Sequence, residues 1–284
     1  MNDFSMLTDI AIADAYGAAF EYVRDSKFYI RNDLKRYYKH PTHNIKPGCY
    51  TDDTQMSIAI ARLMLSNDIW TKRTLAHYFL DTFRLDPREG YAKNFYNFLK
   101  STKTADEFVS NIKPVSVKAG AAMRSGVIGL YSEIDKVIEY ATLNAKLTHD
   151  TKTGINSSIA AALMVHYFVH AKGSVSGLLH FLNNCVSMKC TDTWQGFVGA
   201  DGMDAVNAAI TAIVSSDSLS EVLRKCVDFR GDTDTVAAIA IASATNCSEI
   251  KHDLPQKLYD KLEDGPFGRK YLRELDSKLS AFIV

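Results

Sequence analysis

The sequence predicts an all-α fold, built as a single compact bundle of many helices. Three observations predict it: apolar residues recur at spacings of three and four along nearly the whole chain, alternating β-type runs are nearly absent, and only six prolines interrupt 284 residues. Segment 4–23 opens the pattern, with Leu7, Ile10, Ala11, Asp14, Gly17, Ala18 and Glu21 on one stripe. The same periodicity predicts helices near 53–66, 71–84, 91–100, 104–112, 118–131 and 132–146. It continues near 155–171, 174–188, 202–215, 218–228, 233–246, 255–263 and 267–282. Two Ala-rich runs, Ser157 to Ala162 and Val236 to Ala240, suit helices whose backbones approach closely. No Ser/Gly linker or charge block marks a boundary, so residues 1–284 read as one domain.

Composition narrows the classes of function. A hydrophobic fraction of 46% fills a large core, and a charged fraction of 23% is ordinary for a soluble chain. Lys plus Arg, 33, balance Asp plus Glu, 33. A protein that coats nucleic acid or anionic membrane needs a basic surplus, so neither role is expected. The five cysteines are odd in number and form no CxxC pair, which argues against both a disulfide framework and a zinc site. The opening MNDFSMLTDIAIADAYG lacks the basic region and apolar run of a secretion signal, and no stretch nears the roughly 18 apolar residues of a membrane span. The expectation is a reduced, cytoplasmic protein. Segment 31–43 (RNDLKRYYKHPTH) is basic and aromatic; it reads either as a solvated face or as a loop that touches phosphate.

Three acidic clusters carry the chemistry. Tyr50-Thr51-Asp52-Asp53-Thr54-Gln55 precedes an apolar helical run, where Asp52 and Gln55 have the spacing of a capping box. Adjacent carboxylates repel, however, and with Thr51 they make three hard oxygen donors of the kind magnesium or manganese takes. Gly231-Asp232-Thr233-Asp234-Thr235 repeats that donor set ahead of an Ala-rich helix, and Gly231 permits the close backbone approach a ligand loop needs. Two matching donor sets, each at a helix start, are hard to explain as caps alone. The third cluster, Asp14 and Glu21, shares one helix face with Ile10, Ala18 and other apolar residues. A buried carboxylate there must be hydrogen-bonded, paired or bound to metal.

These clusters resemble a known family. Thr51-Asp52-Asp53-Thr54-Gln55-Met56 and Gly231-Asp232-Thr233-Asp234-Thr235 resemble the two signature motifs of the ADP-ribosylglycohydrolases. Asp14-Ala15-Tyr16-Gly17, followed by Glu21, resembles the family's first-helix motif. Gly120-Ala121-Ala122-Met123-Arg124 is similar to its Gly-rich element, and Leu147-Thr148-His149 to its Thr-His element. The five matches fall in the family's order between residues 12 and 240.

The resemblance implies an all-α fold around two magnesium ions, with manganese as a possible substitute. Thr51, Asp52, Asp53, Asp232, Asp234 and Thr235 match the metal ligands. Glu21, Asp53 and Asp234 match the residues at the reacting ribose. Asp14, Gly17, Ser116, Lys118, Gly120 and His149 match positions around the bound ADP-ribose. The implied reaction is hydrolysis between ADP-ribose and a modified acceptor, most readily a protein side chain, with ADP-ribose as product. Alternatives are a metal-dependent hydrolase of a free nucleotide derivative, and a non-catalytic ADP-ribose-binding protein. The chain departs from the family pattern at Lys118-Ala119, where Gly-Asn is usual, and at Arg230, where Gly is usual. The metal set is left whole, while the phosphate and acceptor pockets change.

Overall fold

The innermost helices are those whose sequence is apolar or small on every side. In the computed structural model, which describes residues 4–283, these are α1 (Met6–Gly17) and α11 (Thr233–Ala244), whose residues are all buried, and most of α7 (Lys152–Val169). A helix apolar all round has no solvent face and belongs in a core. α1 packs along α11, and α7 lies against α6 (Ile134–Thr148) and α9 (Gly202–Val214). α2 (Asp52–Met64) is likewise almost wholly buried, and amphipathic helices close the outside: α3 (Lys72–Leu85), α4 (Lys93–Ser101), α5 (Ala105–Asn111), α8 (Leu178–Cys185), α10 (Leu219–Asp228), α12 (Gln256–Lys261) and α13 (Arg269–Ile283). Among the described residues there is no β-strand, only four isolated bridges, and no helix long and apolar enough to cross a membrane.

Side chains at helix starts behave as their types dictate in most places. Thr71, Thr104, Thr151, Asp201 and Ser218 each accept a backbone N–H of the following turn, which satisfies an otherwise orphaned donor. Thr51 and Asp232, the residues that start α2 and α11, make no such bond. The cap of α2 comes from elsewhere. Asp14 of α1 accepts from Thr51 N and Thr54 N, each at 3.0 Å, and from both threonine hydroxyls. The expected capping box is not formed either: the Gln55 side-chain nitrogen donates to Asp86 O, and its oxygen accepts from Tyr91.

Two expected helices differ. The run 118–131 is no α-helix but two 3₁₀ turns, Ala119–Ala121 and Gly126–Leu130. Its glycines each cost about 1 kcal/mol of helix propensity. Gly126 and Gly129 instead let the backbone lie flat on α7, where a Cβ at Gly129 would meet Val165 Cβ at 2.7 Å. The first helix ends at Gly17, well before residue 23. From Ala18 the chain turns, and Tyr22 N donates to Gly231 O at 2.8 Å. That bond ties the end of the first motif to the start of the last.

Candidate active site

Three chain segments meet where α1 ends and where α2 and α11 begin. Gly17 makes the approach possible: a Cβ there would lie 2.6 Å from Asp234 Cα, and Gly17 O accepts the Thr233 hydroxyl at 2.8 Å. Asp14, Asp53 and Asp234 bring one carboxylate oxygen each within 4.8 Å of one another, and Glu21, Asp232 and Asp234 do the same. Asp234 belongs to both groups. Each of these two acidic triads, which share one carboxylate, has the composition and closeness to hold a cation. Asp52 joins neither triad, but lines the same cavity and faces Gly90, whose left-handed backbone (φ 104°) clears room for it.

The electrostatics call for positive charge. Burial first, and mutual repulsion second, hold Asp52, Asp53 and Asp234 well above the usual carboxylate range. Burial and the charge of Glu21 push Asp232 up to about 7, and burial carries Asp14 to about 6 against its four hydrogen bonds. Asp53 Oδ1 is buried with no hydrogen-bond partner. Thr51 Oγ1 gives its hydrogen to Asp14 at 2.8 Å, which leaves oxygen lone pairs free to coordinate. An orphaned carboxylate oxygen among hard oxygen donors fits a pair of magnesium-like ions.

Above the carboxylates opens a cavity of about 690 Å³. Glu21, Asp52, Asp53, Asp232, Asp234 and Thr235 form its acidic end, while Ser116, Lys118, Gly120 and His149 line it further along. Asp14, Gly17 and Thr51 are not on its wall. Asp14 and Gly17, which the sequence resemblance put at the ligand, lie beneath the cavity, where one holds the start of α2 and the other lets α1 and α11 touch. Lys118 is exposed at the rim. Segment 31–43 touches no part of the cavity, yet reaches the site from behind. His40 Nε2 donates to Glu21 O at 2.8 Å, and His43 Nδ1 stands 3.6 Å from the Glu21 carboxylate. His40 Nδ1 accepts backbone N–H groups from Thr42 and His43, so the ring is neutral with its hydrogen on Nε2.

Arg124, which the sequence placed in a motif without a role, is the largest fully buried side chain among the described residues, and among these no carboxylate forms an ion pair with it. Burial lowers it to about 9, so it stays charged at neutral pH. It donates to Thr148 Oγ1 at 2.8 Å, and that hydroxyl sits 2.6 Å from His149 Nδ1. A guanidinium only donates, so the threonine hydrogen is free to go to Nδ1, an arrangement that puts the hydrogen of His149 on Nε2. Burial and the charges of Arg124 and Lys118 depress His149 to about 3, keeping it neutral. The ring edge meets the Gly120 backbone, where a Cβ would lie 3.2 Å from Nε2. Tyr22, Phe95, Phe98 and Ile112 also line the cavity and were missed, because isolated aromatic and aliphatic residues carry no motif signal.

An all-helical chain that gathers two matched acid–threonine loops under one cavity has the layout of a hydrolase. The sequence matches the ADP-ribosylglycohydrolase family over residues 10–283, and the chain belongs to that family. Bovine ADP-ribosylhydrolase ARH3 is 32% identical over 142 residues, spanning 47% of this chain and 38% of that protein. ADP-ribosyl-[dinitrogen reductase] glycohydrolase of Rhodospirillum rubrum is 21% identical over 289 residues, 95% of this chain and 93% of that one. The match thus spans well under half the length of the bovine relative. A solved structure described as an ADP-ribosylglycohydrolase-related protein complex superposes with a TM-score of 0.77 at 19% identity, covering 99% of this chain and 97% of its own, and shares the fold.

Proposed function

We propose that this protein hydrolyses the bond between the distal ribose of ADP-ribose and a modified acceptor, most readily a protein side chain, with magnesium as cofactor. The observation that carries the reading is the gathering of Glu21, Asp52, Asp53, Asp232 and Asp234 at one end of a cavity of about 690 Å³, with Asp234 common to both acidic triads. Thr51, Asp52, Asp53, Asp232, Asp234 and Thr235 would hold two magnesium ions, with manganese as a substitute. Bound there, the ions supply Lewis-acid polarisation and a fixed template for the ribose hydroxyls.

The chain's own groups do the rest. Glu21, at the acidic end and braced by His40 and His43, accepts a proton from the attacking water or a ribose hydroxyl. His149 Nε2–H, together with Ser116, Gly120 and Lys118, offers donors and one cation along the cavity for the diphosphate and adenosine portions. The buried floor keeps bulk water out of the carboxylate cluster, which strengthens each of these contacts.

The test is a panel of defined ADP-ribosylated acceptors, with and without magnesium, read as released ADP-ribose. Glu21→Gln should retain ADP-ribose binding by calorimetry and lose turnover by roughly a hundred- to ten-thousandfold, the usual worth of a general base. Equal losses of binding and turnover would reduce Glu21 to holding the ribose. Release from free nucleotide derivatives, with none from modified protein, would replace the acceptor named here.

A further inference from the structure

Tyr22 and Phe197 form an aromatic pair at the mouth of the cavity. Their ring centroids are 5.8 Å apart, and both are exposed, at 39% and 59%. Both are fastened to the carboxylate loop. Tyr22 holds a left-handed backbone, φ 49°, which costs a non-glycine residue about 1–2 kcal/mol, and its N–H is bound to Gly231 O. Phe197 adjoins Val198, whose N–H donates to Arg230 O at 3.2 Å and whose carbonyl accepts from Asp232 N at 3.1 Å. The backbone that carries each ring is thus tied to the loop that carries Asp232. Strain and exposed apolar area retained together beside reacting groups mark a surface with a task.

We propose that this pair is the acceptor subsite, and that it takes a polypeptide in which a lysine or arginine side chain next to the ADP-ribosylated residue lies over the ring faces. The proposal rests on the hydrolase reading above. Tyr22 lines the cavity beside Glu21, Asp232 and Asp234, so the segment attached to the distal ribose leaves the site across it. Glu21, Asp232 and Asp234 line the cavity beside Tyr22 and set a negative local field there, while the cavity's own cations, Lys113, Lys118 and Arg124, belong to the other stretch of its lining. Arg230, the cation of the Asp232 loop, is taken up over the Tyr29 ring, 5.0 Å from its centroid. A side-chain cation on the rings gains from the ring quadrupole and from this field, whereas the phosphates of a nucleic acid are repelled.

The test uses peptides carrying one ADP-ribose and differing only in the neighbouring residue, Lys, Ala or Glu, with magnesium at low salt. The parent should turn over the Lys peptide with a kcat/KM about two- to fivefold above the Ala peptide, the worth of an exposed cation–π contact, and the Glu peptide more slowly still. Phe197→Ala should bring the Lys-to-Ala ratio near one, Phe197→Tyr should restore it, and the Kd for free ADP-ribose should match the parent's in both. A ratio unchanged by Phe197→Ala, or no preference in the parent, overturns the subsite while leaving the hydrolase reading standing. Phe197-dependent turnover of an ADP-ribosylated oligonucleotide, without a Lys preference in peptides, would make the pair a base-stacking platform instead. A parent that binds ADP-ribose but releases it from no acceptor sinks the hydrolase reading, and the subsite with it.

Discussion

Asp234 sits in both carboxylate triads, so its charge is repelled from two sides when no cation is present. Asp234→Asn removes that repulsion and keeps the Thr235 N–H acceptor at the same position. Without magnesium the variant should therefore unfold at the parent's midpoint or above it. With magnesium it should lose turnover by more than the roughly 10–100-fold that altering a metal's outer shell costs. A full rate at limiting magnesium would show Asp234 to be a helix-start acid and nothing else. Asp14 calls for the opposite result. Its four donors are the backbone N–H groups and hydroxyls of Thr51 and Thr54. Asp14→Ala should cost about 1–3 kcal/mol by leaving buried N–H groups unpaired, measured by chemical denaturation in chelator. An unmoved midpoint would mean that these bonds contribute nothing. The sequence resemblance assigned these two aspartates different roles, Asp234 at the metals and Asp14 around the ligand; that Asp14 caps α2 from another helix is a contact across 37 residues, which no local pattern displays.

At the scale of elements, the contact of α1 with α11 decides whether the site assembles. Gly17→Ala tests it, because the new Cβ would press on the Asp234 backbone and not on a movable side-chain tip. Alanine would favour the helix by up to about 1 kcal/mol, against roughly 1–3 kcal/mol for overpacking a tight contact. Net destabilisation, with weaker magnesium binding, is the expected outcome; a stabilised protein would show that the two helices have room to spare. Periodicity located the amphipathic helices well, as with 71–84 against the observed Lys72–Leu85, because one face is apolar and the other wet. It failed at 118–131, where glycines and alanines pack by backbone contact and present no stripe to distinguish a helix from two short turns. The doubled donor sets were legible for a different reason: unlike the cavity's aromatic lining, they are contiguous in sequence. Phe95, Phe98 and Phe197 come together with the site only through the path of the chain.

For the whole molecule, the carboxylate cluster couples folding to pH and, on the function proposed above, to magnesium. The buried acids of the site have folded-state values above the unfolded value of about 3.9, with Asp14 near 6 and Asp232 near 7. A raised acid binds its proton more tightly in the fold than in the unfolded chain. Its contribution is therefore fully present below about pH 4 and is lost as pH rises through the folded values. Metal-free protein should lose stability between about pH 4 and 7 on this account. Asp276, which accepts from Leu7 and Thr8 at the start of α1 and is raised to about 7, adds a slope of the same sign. It lies outside the site, so the two contributions must be separated. Magnesium does this, since it binds only where the acids are ionised and competes with their protons. At a hundredfold excess over its Kd it should stabilise the fold by about 2.7 kcal/mol. That gain should be large at pH 8, shrink towards pH 5, and be reduced at every pH in Asp234→Asn, while the Asp276 slope persists in both proteins. Thermal midpoints with and without magnesium at those two pH values read the effect directly. A magnesium shift that is equal at both, or larger at pH 5, would mean that the ion binds elsewhere and that the acidic cluster is held together by its protons alone.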